Sequence, residues 1–169
     1  MHGIIEAIKS KNLKEVFFGS NGFSIADEAS INDLQLGYSV HPDGSDLSRP
    51  NEGDWKKSWV VIGTDTEVGD PFFVDTSEPS LPVYTAMHGT GEWNAELVST
   101  SLSSFLEVLS YLSDISKQDF ARIDPDENTI TCPKELAAIE SKLQETSGEK
   151  YYWQNFIEQH QEWVEEFGS

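Results

Sequence analysis

Between Ser58 and Gly89 the chain passes through three short apolar runs, SWVVIG, DPFFVDT and PVYTAMHG, rich in β-branched and aromatic residues and interrupted by Gly63, by Gly69-Asp70-Pro71 and by Ser80 to Pro82. Runs of this length, broken this often by glycine and proline, are too short for helices and suit strands. Connectors of turn length join neighbouring strands antiparallel, because a parallel pair needs a crossover of a dozen residues or more. The expectation is an antiparallel meander.

On either side the period changes. After Thr100 and Ser101, either of which can cap, Leu102, Phe105, Leu106, Leu109 and Leu112 recur at three and four, the spacing of a helix packed on the sheet. Pro133 stands where a helix favours its first residue, ahead of Leu136, Ile139 and Leu143. A last helix from about Glu149 carries Trp153, Phe156, Ile157, His160, Val164 and Phe167 on one side, and Gly168 ends it. At the amino end Ile4, Ile5, Ile8, Leu13, Val16 and Phe17 fit one helix or two helical pieces closed by Gly19, with Asn21-Gly22 as a turn. Ser30 is positioned to cap a brief helix through Ile31, Leu34 and Leu36, and His41 to Asp54 reads as a surface loop. Elements segregated in this way make an α+β fold, and 169 residues suit a single domain, 1–169.

Charge narrows the partners. Asp and Glu number 30 against 11 Lys and Arg, a formal charge of −19, yet Leu, Ile, Val and Phe still make up 42 of 169 residues, enough for a core. No Lys or Arg occurs between Lys57 and Lys117, while Asp65, Glu67, Asp70, Asp75, Glu78, Glu92, Glu96, Glu107 and Asp114 fall inside that interval. Such a molecule is repelled by phosphate backbones and anionic headgroups, so neither nucleic acid nor a membrane is an expected partner. The first residues lack a basic start followed by an apolar stretch, and a cytoplasmic location is the default reading. One cysteine, Cys132, forms no internal disulfide and is read as half-buried and inert.

The chemical motifs are weak. Asp65, Glu67, Asp70 and Asp75 lie on two adjacent predicted strands and their turn, where paired carboxylates do acid and base work, but no nucleophile accompanies them at motif spacing. His88-Gly89-Thr90-Gly91 is similar to an esterase oxyanion loop, yet the sequence has no GxSxG elbow, so the string is read as a turn and His88 as a structural hydrogen bonder. Neither a phosphate loop nor a dinucleotide fingerprint occurs. Asp124, Asp126, Asn128 and Glu135 occupy positions 1, 3, 5 and 12 of a calcium loop, but position 6 is Thr129 where glycine is needed, and Pro133 looks like a helix start. The expectation is no metal, no cofactor and no catalysis.

The ordered set Trp59, Ile62-Gly63, Gly69-Asp70-Pro71, Phe73, Asp75, Val83-Tyr84 and HGTGEW, followed by the helix start SLSSFL, resembles the Smi/Knr-type family of the SUKH superfamily. NGF at 21–23 and DLQLGY at 33–38 are similar to it as well, so the resemblance covers roughly residues 13 to 115. It implies a compact domain with a curved, largely antiparallel sheet flanked by amino- and carboxy-terminal helices, and no known catalytic apparatus. Bacterial members of that family are similar to immunity proteins that bind a cognate polymorphic or contact-dependent toxin domain, often a nuclease. Fungal members are associated with regulation of cell-wall synthesis, which gives a regulatory or scaffolding module as the alternative.

A nuclease surface is cationic, so an acidic inhibitor complements it. Solvent-facing acids of the strand region, Asp65, Glu67, Asp70, Asp75, Glu78 and Glu92, are the expected contacts, with Trp93 as an aromatic anchor beside Glu92. The remaining signature residues are expected to maintain the fold: Gly63 and Gly69 in turns, and Trp59, Phe72, Phe73 and Tyr84 alternating between core and surface. Monomer and dimer are both left open.

Overall fold

The computed structural model describes residues 1–168. In chain order it contains α1 (His2–Lys11), β1 (Glu15–Phe18), β2 (Asn21–Ile25), a single 3₁₀ turn at Asp33–Gln35, β3 (Trp59–Asp65), β4 (Pro71–Asp75), β5 (Val83–Thr85), β6 (Glu96–Ser99), α2 (Leu102–Ser116), α3 (Pro133–Ser147) and α4 (Tyr151–Phe167). The six strands form one sheet in sequence order, and each neighbouring pair is antiparallel. The α+β expectation holds, with helices at both ends of the chain. The meander is longer than its three legible strands.

Strand β1 stands in place of the expected second helical piece, and β2 begins at the expected Asn21-Gly22 turn. Val16, Phe17 and Phe18 are all buried in β1, and the register Phe18↔Asn21 closes a hairpin whose turn is Gly19-Ser20, not Asn21-Gly22. A β-branched residue followed by two phenylalanines fits a pleated, covered surface better than a helix flank, and pairing with β2 decides it. Ser30 caps no helix: its hydroxyl accepts from the Asp27 N–H, and its own N–H is donated to the Asp27 carboxylate.

Both faces of the central strands are covered. Ile62, Phe72 and Val74 join the main core with α2 and α4, where Phe105, Leu106, Leu109, Trp153 and Phe156 are buried. Trp59, Val61 and Phe73 point to the opposite face and pack with Trp55 and Ala86 in a second cluster, against which Tyr38, Tyr84 and Trp93 lean. Phe72 and Phe73 are therefore both buried, and the expected alternation of core with surface fails for them. The segment that folds over the second face supplies Tyr38 and Trp55, so successive residues of β4 meet two cores rather than core and water.

Gly63 lies inside β3, next to an irregularity in the β3–β4 register, rather than in a turn. A Cβ there would collide with the backbone carbonyl of Ser24 on β2, so the absence of a side chain allows the strands to approach. Gly69 does occupy the β3–β4 connection. The helix starts follow the sequence. The Ser101 hydroxyl accepts from the Ser104 N–H at 3.1 Å to cap α2, and Pro133 is the first residue of α3. The Trp153 indole donates to the Val98 carbonyl at 2.9 Å, tying α4 to the edge strand β6. Trp163, not singled out in the sequence, is buried on α4, while Phe167 is exposed.

Candidate functional site

Antiparallel strands deliver their turns to the ends of a sheet, and here α4 runs across one of those ends. A cleft of about 790 Å³ lies between α4, the β1–β2 hairpin, the β3–β4 turn and the β5–β6 connection. Buried Phe23, Phe72 and Phe156 form its floor, while Val68, Met87 and Phe167 line it at 62%, 68% and 51% exposure. Three large apolar side chains are thus exposed at one concave site, beside its polar lining.

Six carboxylates line the same cleft: Asp65, Glu67, Asp70, Glu96, Glu162 and Glu166. Among the described residues lining it there is no Lys, Arg or His. Tyr152 stands among these acids. Burial, and then the charges of Asp65, Glu96 and Asp70, raise its phenol well above the ordinary range, so it remains a neutral hydroxyl. Burial, followed by the charge of Glu149, also raises the Glu96 carboxyl.

The acids differ in their duties. Asp65 Oδ1 accepts the backbone N–H groups of Glu67 at 2.9 Å and Val68 at 2.8 Å, and Oδ2 accepts that of Asp70 at 2.7 Å, so this carboxylate organises the β3–β4 turn. Asp70 Oδ1 accepts from the His88 backbone N–H at 3.1 Å and lies 2.6 Å from His88 Nδ1, linking the loop after β5 to the start of β4. His88 thus makes the structural bond assigned to it. Glu67, Glu162 and Glu166 are exposed, and their outer ends are free to meet a ligand.

The expected contact residues divide into three groups. Asp65, Glu67 and Asp70 come together in the cleft. Asp75 and Glu78 lie at the opposite end of the β3–β4 ladder, where Trp59 pairs with Asp75, and Asp75 accepts from the Ser77 N–H and hydroxyl. That turn chemistry, acting against burial, leaves the Asp75 carboxyl below its ordinary value. Glu92 lies over Gly53, and Trp93 packs edge-on against Trp55 at 5.3 Å, so Trp93 belongs to the second aromatic cluster rather than to a free anchor. Tyr152, Met87 and the α4 glutamates are not singled out by the sequence reading.

Elsewhere the polar letters have local partners. Asp126 accepts from the Asn128 N–H at 2.8 Å and pairs with Arg122, while Glu135 rides on the first turn of α3, so the calcium-like string folds as a turn and a helix start. Among the described residues, no group of three or more His, Cys, Asp or Glu is arranged to hold a metal ion. Cys132 precedes α3 and is exposed, not half-buried. No helix of the described residues is long and apolar enough to cross a membrane. Compared with family models, curated proteins and solved structures, the chain matches none.

Proposed function

We propose that this protein is an immunity-type inhibitor that binds a cationic toxin domain and neutralises it by covering it, without catalysis and without a cofactor. The observation that carries the reading is the cleft beside α4, with its six carboxylates, no basic residue and an apolar lining. A concave wall of one charge sign focuses field lines and raises the local concentration of an oppositely charged partner. The resemblance to the Smi/Knr-type family supports the same reading, and a nuclease domain supplies the required cationic surface.

The test is co-expression with the toxin encoded by the neighbouring gene. Cells survive if the reading is correct, and the two purified proteins associate more slowly as salt rises, because screening shortens the reach of the field to about 8 Å at physiological ionic strength. Death of cells producing both proteins refutes the reading for that pair. A partner encoded elsewhere, bound with no toxin involved, would instead establish a regulatory module.

A further inference from the structure

Resting on that reading, we infer that the cleft holds an extended basic segment of the partner, in which arginine or lysine side chains meet the rim carboxylates while intervening apolar side chains contact Val68, Met87 and Phe167. Three observations select this occupant. The volume of about 790 Å³ accommodates a few residues of peptide rather than a whole protein face. Apolar side chains exposed by half or more stand beside the carboxylates, so the lining suits a segment that alternates the two chemistries.

The third is α4 itself. A helix carries partial negative charge at its carboxy-terminal end and is stabilised there by cations. The final two turns of α4 instead carry Glu162, Glu165 and Glu166, with no Lys or Arg. Glu162 and Glu166 face the cleft, adding their charges to the unfavourable end of the helix dipole. A basic segment in the cleft supplies the missing cations. A second copy of this chain does not fit the same demand, because each copy carries a net charge of −19.

The probe is a fluorescently labelled short peptide alternating arginine with leucine, compared with peptides in which serine replaces leucine or glutamate replaces arginine. The intact protein should bind the first best, the second at least about tenfold more weakly and the third not at all. The double variant Glu162→Lys, Glu166→Lys should lose at least about tenfold in affinity, while an equal charge change outside the cleft, Glu78→Lys with Glu145→Lys, should lose less than about threefold. Thermal melts guard against trivial loss of fold, since lysines at the end of α4 should raise the melting temperature. In NMR spectra, addition of the peptide should shift the amides of Val68, Met87 and Phe167.

Equal losses in the two double variants, equal binding of the arginine–serine peptide, or self-association through this face that is abolished by the α4 variant would each overturn the inference. The inference and the immunity reading fail separately. Peptide binding without protection from the neighbouring toxin removes only the latter. Protection that persists undiminished in the α4 variant removes only the former.

Discussion

Gln35 is bonded to Val61 twice: its amide nitrogen donates to the Val61 carbonyl at 2.8 Å, and its amide oxygen accepts the Val61 N–H at 2.9 Å. The β2–β3 register ends at Ile25↔Gly63, so a buried side chain from the 3₁₀ turn continues the ladder where β2 has left it. Gln118 repeats the device at Gly19, accepting its N–H at 2.8 Å and donating to its carbonyl at 3.0 Å.

Replacing Gln35 with Leu leaves the Val61 N–H and C=O buried without these partners, at about 1–3 kcal/mol for each group, so a loss of about 2–6 kcal/mol is expected. Gln118→Leu should cost less, about 0.5–1.5 kcal/mol, because its site is partly exposed and the Arg122 N–H still donates to the Gly19 carbonyl. Urea denaturation of the two variants measures the difference. Equal losses would show that the two glutamines do not differ in the burial of what they satisfy.

Gly19 makes the hairpin turn at φ +59°, and a Cβ there would lie 2.5 Å from His160 Nδ1. Gly19→Ala therefore combines a left-handed backbone, about 1–2 kcal/mol for a residue with a side chain, with overpacking against α4, about 1–3 kcal/mol. A total loss of about 2–5 kcal/mol is expected. Gly3→Ala is the control: its Cβ would meet nothing within 4 Å and it lies on α1, so its melt should equal or slightly exceed that of the parent.

His160 is 1% exposed, and its Nε2–H donates to the Ile130 carbonyl at 2.8 Å, leaving Nδ1 without a partner. Burial lowers its pKa, opposed in part by the bond to Ile130. The unfolded chain takes up a proton near pH 6.5 while the folded chain resists it, so stability is full above that pH and declines as pH falls through it. The slope is at most about 1.4 kcal/mol per pH unit. His160→Gln should flatten the melting temperature between pH 7.5 and about 5.5. An unaltered profile would assign the dependence to other groups.

What the sequence discloses depends on how far apart the cooperating residues lie. The strands at 59–65 and 71–75 and the helix from Leu102 carry their periods within themselves, so pattern alone finds them. Val16 and Phe17 continue a spacing that also fits the helix before them, and only the hairpin with β2 separates the two possibilities. β6 is four residues long with a single turn of alternation, too brief to stand out. At the site, Asp65, Glu67 and Asp70 are neighbours in the chain and were legible as a cluster. Glu162 and Glu166 lie almost a hundred residues further on, and they reach the cleft because α4 packs on the sheet and Trp153 bonds to Val98. The second aromatic cluster has the same origin, since nothing local marks a polar loop as the cover of a strand face.

The acids of the β3–β4 turn should separate into one that builds the cleft and one that decorates it. Both Asp65 oxygens are occupied by backbone N–H groups, and bonds to a charged acceptor contribute about 1.5–3 kcal/mol. Asp65→Asn retains one acceptor but turns an NH₂ toward donors, so a stability loss in that range is expected, with a loosened turn. Glu67 is exposed, its side chain has no such role, and Glu67→Gln should leave stability within about 0.5 kcal/mol. Their effects on partner binding should differ in kind. Glu67→Gln removes one rim charge and should act on the association rate, with the difference vanishing at high salt. Asp65→Asn also displaces Val68 and Asp70, which the turn presents to the cleft, so its effect on dissociation should survive high salt. Stopped-flow association and dissociation at two ionic strengths, alongside urea melts, read both outcomes. Should Asp65→Asn prove as stable as the parent and lose only salt-sensitive association, Asp65 would act as a rim charge and not as the organiser of the turn.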